Sequence, residues 1–113
     1  MLHLTSSLVN VMVSDMDQAI AFYQQKLGLE LTNRYGDHYA EIRAADLRIG
    51  LHPSPEVRTG NNMSIGFGVR GFDTVVKDLS SLGISFAVTG EGGRRLAHFQ
   101  DPDNNQLFLA EVS

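Results

Sequence analysis

The chain has 113 residues, of which 42% are hydrophobic and 19% charged, with 11 glycines, 3 prolines and no cysteine. At this length the expectation is one domain, and folding it takes roughly 18,000 Å² of accessible surface to about 6,000 Å², enough for a core without disulfide staples. The lack of cysteine excludes thiolate metal sites and a cysteine nucleophile. A formal charge of -4, from 13 acidic against 9 basic residues, opposes a general attraction to phosphate backbones, so no nucleic-acid partner is expected.

The opening residues MLHLTSSLVNVMV show no basic segment followed by a long apolar run, and no stretch approaches a membrane span. We therefore expect a cytoplasmic protein with no membrane partner. Val9, Val11 and Val13 then alternate with Leu8, Asn10 and Met12, the pattern of a strand with one buried face. Asp15, beside Ser14, is placed to cap a helix in which Met16, Ile20, Tyr23 and Leu27 recur every three or four residues, and Gly28 supplies its end. Strand character follows over residues 29–34, 38–44 and 47–52, separated by the turn-forming Gly36, Asp37 and Asp46. Residues 53–62, with Pro55 and Gly60, read as a loop.

The second half repeats this order. Ile65, Phe67 and Val69 alternate with Ser64, Gly66 and Gly68; Phe72, Val75 or Val76, Leu79 and Leu82 give the helix, and Gly83 its end. Strands are expected over residues 84–89, 95–100 and 106–111, the last preceded by the turn Asp101-Pro102-Asp103-Asn104-Asn105. Residues 9–31 can be laid on 65–86, so that Asp17 falls on Asp73 and, after one deletion, Leu27-Gly28-Leu29 falls on Leu82-Gly83-Ile84. The fold class is therefore α+β, with two repeated βαβββ modules: module one at about 5–52, a linker at about 53–62 and module two at about 63–113, within one domain over 1–113. Two such modules, each with a helix on one sheet face, would form curved mixed sheets around a cleft.

Strand parity assigns the open faces. Leu8, Asn10 and Met12, then Arg48, Gly50 and His52, leave the core in module one; Ser64, Gly66 and Gly68, then Gln106, Phe108 and Ala110, do so in module two. The surface is mixed, apolar with polar anchors.

The repeat, with Val13-Ser14-Asp15-Met16-Asp17 leading into Ala21-Phe22-Tyr23, and with Phe99-Gln100-Asp101-Pro102-Asp103-Asn104-Asn105 before the last strand, resembles the vicinal oxygen chelate superfamily. That superfamily includes glyoxalases, extradiol dioxygenases, fosfomycin resistance proteins and bleomycin-binding proteins. The resemblance implies the glyoxalase/bleomycin-resistance fold, a homodimer, and, in the enzymes, a divalent metal held by His or Glu from the first and last strands of each module. Those places fall on Leu8, Gly50, Ser64 and Phe108. Leu, Gly and Phe offer no donor side chain and a lone serine hydroxyl is weak, so no metal and no other cofactor is expected. A two-residue slip at Gly50 would bring in His52, a single imidazole.

Other residues carry weaker signals. His52 is either a ligand-facing group beside Arg48 or a surface histidine, and His98 either a general base or a half-exposed strand residue; together they are the candidates for an acid–base pair. Gly90, Gly92 and Gly93 around Glu91 lack the context of a P-loop and read as a hairpin connection. Arg94 and Arg95 are either an anion clamp or a solvated pair. Asp101 and Asp103 are explained by their turn. Met12, Met63, Tyr39 and Phe67 serve either core or pocket wall.

The sequence thus points to a metal-free protein that binds a small molecule, antibiotic-like or an aromatic metabolite, resembling bleomycin resistance proteins. The ligand-binding set is Leu8, Asn10, Met12, Arg48, His52, Ser64, Gln106 and Phe108. The alternative is a glyoxalase-like lyase or isomerase, or a dioxygenase, with a non-standard site that uses His52 and His98. A module whose whole role is dimerisation or partner binding is a third reading.

Overall fold

A computed structural model describes residues 3, 8–55, 64–90 and 93–112. Most of the expected linker, together with Met63, Glu91 and Gly92, lies outside the described residues. The chain divides into two compact units, Met1–Val57 and Arg58–Ser113.

The first unit runs β1 (Val9–Val13), α1 (Met16–Ile20), a π-helical continuation (Ala21–Lys26), β2 (Glu30–Tyr35), β3 (Tyr39–Ala44) and β4 (Leu47–Pro53). Its sheet has the order β1-β4-β3-β2, with β1 parallel to β4 and the other neighbours antiparallel. Alternation sets which face is buried. Val11 and Val13, Ile49 and Leu51, and Ala40 and Ile42 form a layer on the helix side, while Asn10, Met12, Arg43 and His52 are not buried.

Asp15 caps α1 as expected: its backbone is extended and its Oδ1 accepts the Gln18 N–H at 2.8 Å. The helix departs from the expected 3.6-residue spacing after Ile20. In the wider π turn Leu27 N–H reaches the Phe22 carbonyl at 3.0 Å. Within this segment two adjacent aromatic residues, Phe22 and Tyr23, are both buried, packed edge to face with ring centroids 5.3 Å apart.

The second unit runs β5 (Ile65–Val69), α2 (Phe72–Ser81), β6 (Ala87–Thr89), β7 (Leu96–Gln100) and β8 (Gln106–Glu111), with sheet order β5-β8-β7-β6 and β5 parallel to β8. Ala97, Phe99, Leu107 and Leu109 form its helix-side layer with Phe72. The strand expected over 84–89 is shorter than its apolar pattern suggests. Ile84 is buried because it closes the helix: its N–H reaches the Leu79 carbonyl at 3.3 Å, and Gly83, at φ +94, gives its N–H to Ser80 at 3.0 Å. That pair of bonds is a Schellman ending, with glycine at the left-handed position.

The turn before β8 is built by Asp101, which is buried. Its Oδ1 accepts the N–H groups of Asp103 and Asn105, both at 2.9 Å, and its Oδ2 accepts Asn105 Nδ2 at 2.8 Å. Asp101 is thereby committed to holding the turn.

Candidate functional site

On the open face of the first unit, β1, β4 and β3 bring together residues far apart in sequence. The register sets Asn10 and Glu41 opposite Gly50 from either side, Met12 beside His52, and Arg43 opposite Arg48. Gly50 has no side chain, and its neighbours use the space: a Cβ there would overlap Asn10 Oδ1 and Tyr39 Oη. A carboxamide and a phenol thus converge over the middle of the sheet.

Glu41 is the one buried acid of this unit among the described residues. Arg48 Nη2 donates to its Oε1 at 2.5 Å, and Thr32 Oγ1 lies 3.1 Å from both its Oε2 and its carbonyl oxygen. The Arg48 hydrogen bond holds the Glu41 carboxyl below the usual carboxylate range; burial pushes it up, and the Thr32 bond adds to the lowering. Thr32 reaches this position because the β2–β3 register shifts between Leu31 and Asn33, which frees one residue from the ladder.

His52 is exposed, with Nδ1 3.0 Å from the Pro53 carbonyl oxygen. A carbonyl only accepts, so Nδ1 carries the proton and a neutral ring keeps its lone pair on Nε2. Leu8, immediately before β1, is 40% exposed.

On the open face of the second unit, Phe108 of β8 is half-buried and sits opposite Gly66 of β5 and His98 of β7. Its ring lies over Gly66, where a Cβ would overlap it, and its centroid is 6.0 Å from that of His98. Gln106 shares the face and is half-buried, while Ser64 precedes β5 and is exposed. Arg95 is no anion clamp. Its Nη1 donates to Asp73 at 2.9 Å and its Nη2 to Glu111 at 2.9 Å, and its guanidinium stands 4.7 Å from the centre of the Phe72 ring, so it ties helix to sheet.

Sequence parity found Asn10, Met12, Arg48, His52, Gln106 and Phe108 as residues directed away from the cores. It named Tyr39 only as core or wall and passed over Glu41 and Thr32. The alternation of residues 39–44 places Tyr39 and Glu41 on the Arg48 side, and that was the available signal.

The family model described as Glyoxalase/Bleomycin resistance protein/Dioxygenase superfamily matches residues 2–109. The chain belongs to that superfamily. Among solved structures, SMU.1112c is 23% identical with a TM-score of 0.81, covering 96% of this chain and 100% of its own. The fosfomycin resistance protein FosX from Listeria monocytogenes is 19% identical with a TM-score of 0.82, over 99% of this chain and 96% of its own. Lactoylglutathione lyase from Agrobacterium tumefaciens is 16% identical with a TM-score of 0.73, over 96% and 95%. At these identities the likeness establishes the fold. No curated protein matches the chain.

The superfamily's divalent metal can be tested against the residues present. Of its four expected places, Gly50 is overlain by Asn10 and Tyr39, Phe108 puts a hydrocarbon ring over Gly66, Leu8 has no donor, and Ser64 has a hydroxyl alone. Among the described residues no three His, Asp or Glu side chains group as metal ligands would. The donor set does not fit a divalent metal. No helix among the described residues is long and apolar enough to cross a membrane.

Proposed function

We propose that this superfamily member is a metal-free receptor that captures an antibiotic-like or aromatic small molecule on its open sheet faces without turning it over, resembling the bleomycin-resistance branch. The observation that carries the reading is what occupies the glycine positions: a phenyl ring over Gly66, and a neutral carboxamide with a phenol over Gly50, where the superfamily's metalloenzymes carry the imidazole or carboxylate of His or Glu. Stacking on Phe108 is worth about 0.5–1.5 kcal/mol beyond the area buried. On the open face of the first unit Asn10 and Arg48 supply orientation and Leu8, Met12 and His52 the remaining surface, and on that of the second Ser64 and Gln106 supply orientation beside Phe108. The working assembly in this reading is a cytoplasmic homodimer.

The test is calorimetric titration with a panel of antibiotics and aromatic metabolites, using Phe108→Asp as control. A compound that binds, survives unchanged, and loses at least tenfold in affinity in the variant is the expected result. Unchanged affinity removes Phe108 from the site, and a panel without binders removes the reading.

One observation favours a second reading, a glyoxalase-like lyase or isomerase, or a dioxygenase: the proton fixed on His52 Nδ1 leaves Nε2 as a base. His98 is the other candidate in this reading. Turnover of a glutathione hemithioacetal that disappears in His52→Gln supports it, and no turnover removes the lyase form.

A further inference from the structure

Building on the receptor reading above, we infer that the open face of the first unit recognises a carboxylate carried on an apolar body, with Arg48 as the anchor and Glu41 as the residue that positions it. The Glu41 side chain is only 11% exposed, and both its oxygens are engaged, Oε1 by Arg48 and Oε2 by Thr32. Its charge is committed within the sheet and serves to hold the guanidinium.

Arg48 is different. Its side chain is 35% exposed, and among the described residues it donates to Glu41 through Nη2. A guanidinium has five N–H groups, so most of its donors remain for a ligand. Because Glu41 fixes the long side chain in place, a ligand meets a pre-organised fork and little rotamer freedom is lost on binding. Next to it, over Gly50, Tyr39 Oη adds a hydroxyl able to donate, and Asn10 brings its carboxamide there by Oδ1, an acceptor whose companion Nδ2 is the donor of that side chain.

The charge balance selects among anions. Arg48 is offset by its ion pair with Glu41, and Arg43, opposite it on β3, gives its Nε to the Ala45 carbonyl at 3.2 Å and stands across the register from Glu30 of β2, so two arginines are set against two glutamates on these strands. The face therefore has no strong net field, and recognition falls to directed N–H donation. This favours a carboxylate, whose two oxygens match two parallel N–H groups of one guanidinium edge. Met12, exposed on β1 of the same face, offers apolar contact for the rest of the molecule.

The experiment titrates the full chain with benzoate and, separately, with its neutral analogue benzamide, followed by backbone amide shifts. Benzoate is expected to shift Asn10, Tyr39, Arg48 and Gly50 saturably, with at least tenfold higher affinity than benzamide, and Tyr39→Phe to weaken it several-fold. Arg48→Met strands a buried carboxylate, so the double variant Glu41→Gln with Arg48→Met, which removes both charges together, serves as the folded control and should lose the benzoate response. Absence of saturable shifts with benzoate, equal affinity for the two probes, or retained affinity in the folded double variant overturns the inference. If uncharged panel compounds still bind in that event, the receptor reading stands and only the carboxylate is withdrawn.

Discussion

Glu41 titrates against two opposing influences, and the outcome has a sign that can be measured. The hydrogen bond from Arg48, helped by Thr32, lowers its pKa in the folded chain against the effect of burial, and Glu111 is lowered by the side chain and then the backbone N–H of Arg95. A carboxyl more acidic when folded than when unfolded adds stability that is fully present above its unfolded pKa, about 4.3, and is lost as pH falls through the folded value. The melting temperature should therefore drop as pH is lowered from 6 through 4 and below. Glu41→Gln should melt lower than the parent at pH 7 and show a shallower acid limb; an unchanged limb would mean that Glu41 carries no folded-state shift. Arg48 was legible in the sequence because strand parity alone places it outside the core. Alternation also sets Glu41 on that side, but the pairing itself was not legible, since the register shift at Thr32 and the diagonal contact from Arg48 to Glu41 follow from strand register that alternation does not encode.

At the level of elements, the two helices differ in how their ends are made although the repeat gives them the same lengthwise plan. The first has a side-chain cap in Asp15, whereas the second starts after Gly71, at φ +66, without one. Asp15→Ala should cost about 1 kcal/mol, the usual value for losing a single N-terminal side-chain bond. Ile42→Ala removes a fully buried side chain from the middle of β3 and should cost about 3 kcal/mol, since the cavity adds to the lost transfer energy. Urea denaturation of the two variants checks both values, and near-equal losses would contradict the layer described for the first unit. Element order, the Asp15 cap and the glycine endings were readable because each depends on local chemistry. The π turn was not: a bond from Leu27 N–H to the carbonyl five residues back leaves no mark in an apolar pattern read at a period of 3.6, since that pattern admits adjacent buried residues such as Ala19 and Ile20 as readily as Phe22 and Tyr23. Ile84 misled for a related reason, since an apolar residue after a glycine serves a helix ending as readily as a strand.

For the molecule as a whole, duplication made the fold legible and leaves the chemistry to a few positions. Two βαβββ units follow from a repeat visible in spacing and turn residues, and superfamily membership from motifs that stabilise helix starts and the turn before β8. Those motifs are structural: Asp15 and Asp101 spend their oxygens on backbone N–H groups, so they persist whatever the ligand. In the receptor reading proposed above, function rests instead on which side chains stand over Gly50 and Gly66. In both units those groups are poor metal ligands, and the consequence can be measured on the intact chain. Zinc, manganese or magnesium should leave the melting temperature unchanged, and a chelator should alter neither that temperature nor the affinity for any ligand found in the panel, because a cation bound only to the folded state would raise stability with its concentration. A stoichiometric metal surviving purification, or a stabilisation that grows with metal concentration, would require donors other than Leu8, Gly50, Ser64 and Phe108 and would move the weight of the argument from capture to catalysis.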